Sequence, residues 1–94
     1  MPQVIDRPDT IRQEQEAVQA PWIVRVFNND INTYQQVMSI LMLATRCSAE
    51  EAYMEAWEID HLGSSVVHQA TEGECRTAAK VISTIGIRVE VMQE

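Results

Sequence analysis

The 94-residue sequence is poor in cysteine, glycine and basic residues, and each shortage excludes something. Its two cysteines form at most one disulfide, and its three glycines leave no glycine-rich loop that would cradle a phosphate. Seven basic residues stand against fourteen acidic ones, for a net charge of −7. Binding to nucleic acid or to an anionic membrane needs clustered Lys and Arg, so neither partner is expected.

Long apolar runs are also missing. The longest mostly apolar run, residues 37–44, is interrupted by Ser39 and is far too short to span a bilayer. The first sixteen residues are polar and acidic and lack the apolar stretch of a secretory signal. We therefore expect a cytoplasmic protein, in which Cys47 and Cys75 stay reduced.

The length and composition predict one small folded domain with an N-terminal extension. Hydrophobic residues make up 46% of the chain, an ordinary fraction for a globular protein. Residues 1–20 combine two prolines with several acidic residues and few large apolar ones, so we interpret them as a flexible acidic extension. Residues 21–94 then form the domain.

Local patterns predict the order β-α-α-β-α-β along this domain. Residues 22–27 are β-branched and aromatic, and residues 64–68 and 87–91 are the two further candidate strands. Three Ser/Thr-x-x-Glu/Gln capping boxes each precede apolar residues at helical spacing, and Gly63 and Gly86 are placed to end the second and third helices. The boxes are Thr33–Gln36, Ser48–Glu51 and Thr71–Glu74. The most economical packing is an α+β fold, with three helices on one face of a three-stranded antiparallel sheet.

Catalytic and metal-binding motifs are not found in the sequence. Cys47, Cys75, His61 and His68 lie on four different predicted elements, at no spacing typical of a metal site. Cys75 lies on the apolar stripe of the third helix and is expected in the core. We therefore expect no metal, no cofactor and no enzymatic activity.

The polar loop after the first strand is rich in Asn and Asp, which suits a turn, because these side chains bond to nearby backbone. Residues 26–37, VFNNDINTYQQV, also resemble the signature of the ClpS family, adaptors of the Clp ATP-dependent protease. The resemblance continues through residues 48–52, SAEEA, and residues 59–67, IDHLGSSVV. It covers residues 22–93, and the predicted element order is also that of the family.

The resemblance implies an adaptor that holds substrates by a bulky hydrophobic N-terminal residue, an N-degron. It would deliver them to a Clp AAA+ ATPase of the ClpA or ClpC type. By position, Asn28, Asn29 and Asp60 would bind the α-ammonium group. The side-chain pocket would be lined by Ile31, Asn32, Tyr34, Val37, Ala56 and Ile59. The N-terminal extension would engage the ATPase, and we assign that contact to Pro2, Ile5 and Ile11.

Four of these positions depart from the family pattern. Asn29 stands where the family has Asp, and Asp60 stands where it has His. We hypothesise that the negative charge facing the ammonium has moved from the loop to the second helix. Tyr34 and Ala56 stand where many relatives carry Met, which predicts a reshaped pocket.

Two alternatives to the adaptor stay open from the sequence. The first is a ClpS-like paralogue that regulates the unfoldase without recognising an amino terminus. A different protein-interaction module also fits, because the same fold resembles the C-terminal domain of the large-subunit ribosomal stalk protein.

Overall fold

A computed structural model describes residues 21–94 of the chain. The predicted extension over residues 1–20 lies outside this range. So do the three residues assigned to the ATPase contact, Pro2, Ile5 and Ile11. All structural statements below concern residues 21–94.

The predicted element order is confirmed. The elements are β1 (Trp22–Phe27), α1 (Tyr34–Thr45), α2 (Ala49–Leu62), β2 (Ser64–Ala70), α3 (Glu72–Ile82) and β3 (Val89–Gln93). β1 is the central strand and pairs antiparallel with both β2 and β3. The predicted α+β architecture, a three-stranded antiparallel sheet with three helices, is therefore the one observed.

The core lies between the sheet and the helices. Val24 and Val26 of β1 are fully buried, because alternate residues of a strand share one face. Leu41 of α1 and Ile82 of α3 are equally buried against them. Cys75 lies in this core, as its place on the apolar stripe predicts, and it has a free thiol.

The three capping signals all begin helices where the sequence predicts them. At Thr33 and Ser48 both halves of the capping box form, so each N-cap side chain and its Gln or Glu partner satisfy backbone N–H groups. At Thr71 the hydroxyl accepts from the backbone N–H of Glu74 at 3.3 Å. Each cap of this kind contributes about 1 kcal/mol to stability.

The end of the domain differs from the prediction in two details. β3 spans Val89–Gln93 rather than residues 87–91, because its ladder with β1 begins at the pair Val26–Val89. Ile87 precedes the strand and is buried, with 4% of its surface exposed. Gly86 does not end α3 itself: α3 ends at Ile82, and Gly86, at φ 82°, closes the short 3₁₀ turn that follows.

The apolar spacing of α2 predicts a buried stripe of Ala49, Ala52, Tyr53, Ala56 and Trp57, and only part of that stripe is buried. Ala52, Ala56 and Ile59 are its buried residues, whereas Tyr53 and Trp57 are 51% and 42% exposed. The small alanine side chains let α2 pack closely on its neighbours. The aromatic rings project from the adjacent face, about 100° further round the helix axis.

Candidate functional site

A small cavity opens between the β1–α1 loop, the C-terminal end of α2 and the segment before β3. Its volume is about 50 Å³. It is lined by Asn28, Asn29, Asn32, Tyr34, Val37, Ala56, Ile59, Asp60 and Ile87. The structure thus brings together eight of the nine residues that the resemblance assigns to degron binding, although their binding roles stay predictions.

The two differences concern isoleucines. Ile31 does not line the cavity, and 80% of its surface is exposed. Ile87 lines the cavity and was missed from the sequence. The sequence predicts Ile87 as the start of the last strand, and the apolar–polar alternation of residues 87–91 is the signal that its side chain is buried.

The β1–α1 loop is held by the side chains of two asparagines. Asn29 Oδ1 accepts hydrogen bonds from the backbone N–H groups of Ile31, at 3.2 Å, and Asn32, at 3.1 Å. Asn29 Nδ2 donates to Asn32 Oδ1 at 2.8 Å. Asn32 Nδ2 in turn donates to the backbone carbonyl of Ile85 at 3.0 Å and anchors the loop to the rest of the fold. An amide oxygen has two lone pairs, so that of Asn29 is fully engaged within the loop.

Backbone bonds fix the start of this loop against the end of α2. The N–H of Asn28 donates to the carbonyl of Gly63 at 2.9 Å. Gly63 caps α2 in the left-handed conformation, at φ 94°, where a glycine is favoured. This link places Asn28, which is exposed, at the same cavity as Asp60, which lies three residues before Gly63.

Asp60 supplies the carboxylate of the site. Tyr34, the first residue of α1, donates its hydroxyl proton to Asp60 Oδ2 at 3.1 Å. Burial raises the pKa of Tyr34, and the hydrogen bond to the Asp60 carboxylate raises it further, because a negative neighbour disfavours the phenolate. His61 Nδ1 lies 3.7 Å from Asp60 Oδ2 and 3.0 Å from the Trp57 carbonyl, and the His61 ring stacks on Trp57. The Asp60 side chain is half exposed.

The floor of the cavity is apolar. Val37, Ala56, Ile59 and Ile87 are each at most 7% exposed and belong to the hydrophobic core. Amide groups and one carboxylate therefore surround an apolar floor. This arrangement suits a ligand that carries a positive charge beside a hydrophobic group, because a cation needs oxygen acceptors and an apolar group needs a dry surface.

Neither a metal site nor a membrane-spanning helix is found in the described part of the chain. Within residues 21–94, no three His, Cys, Asp or Glu side chains converge to hold a metal ion. No helix in the same range is long and apolar enough to cross a membrane.

Comparisons with known proteins agree with this fold. A family model described as "ATP-dependent Clp protease adaptor protein ClpS" matches residues 17–89. Among solved structures, Agrobacterium tumefaciens ClpS2 bound to L-phenylalaninamide is similar, with a TM-score of 0.74 and 20% sequence identity. The similarity covers 80% of this chain and 98% of that one. No match was found among curated proteins.

Proposed function

Because the chain belongs to the ClpS family of Clp protease adaptors, we propose that it binds N-degrons with a bulky hydrophobic first residue and delivers them to a Clp AAA+ unfoldase. The observation that carries this proposal is the Asp60 carboxylate, which faces the same cavity as the polar loop and lies beside an apolar floor. A free N-terminal residue presents the matching pair of groups, because its α-ammonium and its side chain are attached to the same Cα atom.

The geometry supports Asp60 and Asn28 as the ammonium contacts. The side-chain oxygen of Asn29 is already bonded to two backbone N–H groups of its own loop, so we assign Asn29 the shaping of that loop. The site's negative charge then resides on α2, at Asp60. This supports the hypothesis of a charge moved from the loop to the helix, and it leaves one negative charge to face one positive charge.

The ligand of the solved relative supports the same pairing. Agrobacterium tumefaciens ClpS2 was solved with L-phenylalaninamide, a molecule with a free α-amino group and a phenyl side chain. In this chain the equivalent apolar side chain would contact the cavity floor of Val37, Ala56, Ile59 and Ile87. Tyr34 and Asn32 would border it.

For delivery, we propose that the segment over residues 1–20 engages the unfoldase, of the ClpA or ClpC type. Pro2, Ile5 and Ile11 are the residues we assign to this contact. The expected role is that of an adaptor without chemistry of its own, which is the role of the family.

Two observations favour the second candidate function, regulation of the unfoldase without recognition of an amino terminus. The cavity holds only about 50 Å³, and the Asp60 carboxylate already accepts a hydrogen bond from Tyr34. The peptide experiment below separates the two functions.

Fluorescence anisotropy of labelled peptides that differ only at their first residue tests the proposal. Peptides that begin with Leu, Phe, Tyr or Trp are compared with peptides that begin with Met, Val or acetylated Leu. One pocket and one ammonium contact are expected to give a dissociation constant on the order of 1 μM, which corresponds to about −8 kcal/mol. Selective binding that acetylation abolishes supports the N-degron adaptor, whereas equal or absent binding of all peptides favours the regulator.

A further inference from the structure

The cavity is too small for the side chain that the proposed function requires. Its volume is about 50 Å³. A cavity of about 150 Å³ is the size that accommodates a benzene molecule in a protein core. A leucine or phenylalanine side chain therefore enters only if a residue of the cavity wall moves.

Tyr34 is the wall residue best placed to move. The floor residues Val37, Ala56 and Ile59 are fixed in the packed core. Asn32 is tied by hydrogen bonds to Ile85 and to its own loop. Tyr34 is half-buried, and it packs at a tilt beside the half-exposed ring of Tyr53, with ring centroids 5.9 Å apart. It packs against the core as a partly buried side chain, so its ring can leave the cavity at a smaller loss of buried apolar surface than a floor residue would.

The same residue engages the group that the ligand needs. The Tyr34 hydroxyl donates to Asp60 Oδ2 at 3.1 Å, and Asp60 is the carboxylate proposed to hold the α-ammonium. An ammonium that binds this carboxylate competes with the phenol for its oxygen atoms. A hydrogen bond from a charged donor is about twice as strong as one from a neutral donor, so the ammonium can replace the hydroxyl.

We propose that the Tyr34 side chain occupies the ligand's place in the free protein: its ring closes the cavity and its hydroxyl binds Asp60, so that a ligand displaces it by supplying both an α-ammonium and a large apolar side chain. This inference rests on the proposed function. The ammonium takes over the carboxylate, and the apolar side chain fills the space that the ring leaves. A ligand with only one of these groups leaves either the carboxylate without its donor or the cavity empty.

The first test compares two tyrosine-to-phenylalanine variants by peptide anisotropy. Tyr34→Phe keeps the ring but removes the hydroxyl that competes for Asp60. In wild type, binding breaks the hydrogen bond from Tyr34 to Asp60, and the variant has no such bond to break. Its affinity for free Leu- and Phe-initiated peptides is therefore expected to rise about fivefold. Tyr53→Phe is the matched control, since Tyr53 is the chain's other tyrosine and does not line the cavity. Its affinity is expected to stay within about twofold of wild type.

The second test observes Tyr34 directly at neutral pH. The chain has two tyrosines, so 3-fluorotyrosine in the Tyr53→Phe protein labels Tyr34 alone for ¹⁹F NMR. A free Leu-initiated peptide is expected to shift this resonance toward its position in the Tyr53→Phe/Asp60→Ala protein, where the carboxylate is absent. The acetylated peptide is expected to leave the resonance unchanged.

The outcomes separate the inference from the function on which it rests. If wild type binds free peptides but Tyr34→Phe binds them equally well or more weakly, Tyr34 does not compete for Asp60, and the inference is wrong while the proposed function stands. An unmoved ¹⁹F resonance in a peptide-saturated protein leads to the same conclusion. If neither wild type nor Tyr34→Phe binds any free peptide, both proposals are wrong.

Discussion

The two walls of the cavity are built differently. The wall formed by the β1–α1 loop is held by its own side chains: Asn29 bonds to two backbone N–H groups and to Asn32, which is anchored to Ile85. The wall formed by α2 carries a half-exposed carboxylate, Asp60, whose hydrogen-bond partner at the cavity is a tyrosine hydroxyl. The polar side chains of the loop wall are hydrogen-bonded within the fold. The Asp60 carboxylate of the helix wall can exchange its tyrosine partner for a ligand group.

This difference explains why an amide in the loop and a carboxylate on the helix fit each other. Asn29 Nδ2 donates to Asn32 Oδ1, and an ionised carboxylate at this position would have no proton to donate. The loop is therefore suited to Asn at position 29, and the charge that attracts a cation lies at Asp60. We infer that the loop wall sets the shape of the site and the helix wall sets its affinity.

Replacing the charge of the helix wall is expected to have the largest effect on binding. Asp60→Asn removes the negative charge that faces the ammonium, and hydrogen bonds to charged groups are worth about 1.5–3 kcal/mol. Binding of a free Leu-initiated peptide is expected to weaken by about tenfold to a hundredfold in anisotropy titrations. The free energy of unfolding is expected to change by less than about 0.5 kcal/mol, because Asp60 is on the surface.

Asp30→Asn is the matched control for this substitution. Asp30 is an exposed carboxylate of the β1–α1 loop that does not line the cavity. It changes the net charge of the protein equally and is expected to leave affinity within about twofold. Equal losses in both variants would mean that long-range charge, rather than a contact at Asp60, attracts the peptide.

Removing the central amide of the loop wall is expected to destabilise the fold. Asn29→Ala deletes three hydrogen bonds and leaves the N–H groups of Ile31 and Asn32 without their acceptor. The free energy of unfolding, measured in urea, is expected to fall by about 2 kcal/mol. Asn28→Ala, at the exposed neighbouring position, is expected to change it by less than about 0.5 kcal/mol. A stable Asn29→Ala protein with lost peptide binding would instead make Asn29 a ligand contact.

The same contrast shows what the sequence alone can predict. Capping boxes and the β-branched, aromatic run of β1 are local patterns, and they place the starts of the three helices and both ends of β1 where the structure has them. The packing of α2 is not local. The aromatic Tyr53 and Trp57 suggest a buried stripe, but the close approach of the helix selects the small Ala52 and Ala56 for burial.

The site is predictable from the sequence only in part, for a similar reason. The resemblance to a family assigns its positions, but it carries no contacts between side chains. The Tyr34–Asp60 hydrogen bond joins residues 26 apart, and the anchoring of Asn32 on Ile85 spans 53 residues. Ile87 enters the site because β3 begins two residues later than its alternation suggests.

A second carboxyl of α2, Glu55, lies outside the cavity and offers a pH-dependent test of the helix that carries Asp60. Burial raises the pKa of Glu55 to about 7, and repulsion from Glu51 and Glu58 adds to the effect. Within the described residues, its buried Oε1 has no hydrogen-bond partner. The folded protein holds this proton more tightly than the unfolded chain does. The contribution to stability is therefore complete below the unfolded value of 4.5 and is lost as the pH rises through about 7.

Glu55→Gln is expected to remove this dependence. At pH 8 the variant is expected to be more stable than wild type by about 1 kcal/mol, a value reduced for solvent screening of a half-exposed group. At pH 4 the two proteins are expected to unfold at the same urea concentration. Glu50→Gln, on the exposed side of α2, is expected to change stability by less than about 0.5 kcal/mol at both pH values. If wild type and Glu55→Gln show the same dependence of unfolding free energy on pH, the Glu55 carboxylate is solvated and its ionisation does not destabilise α2.

The smallest effect is expected at Ile31, which tests whether the loop wall is preformed. Its backbone N–H bonds to Asn29, but its side chain is 80% exposed and lies outside the cavity. If the loop keeps this shape when a peptide binds, Ile31→Ser leaves affinity within about twofold. The buried floor substitution Val37→Ala is expected to weaken binding more, because it removes apolar surface from the pocket. A loss at Ile31 equal to that at Val37 would mean that the loop folds over the ligand, so that the loop wall is not preformed.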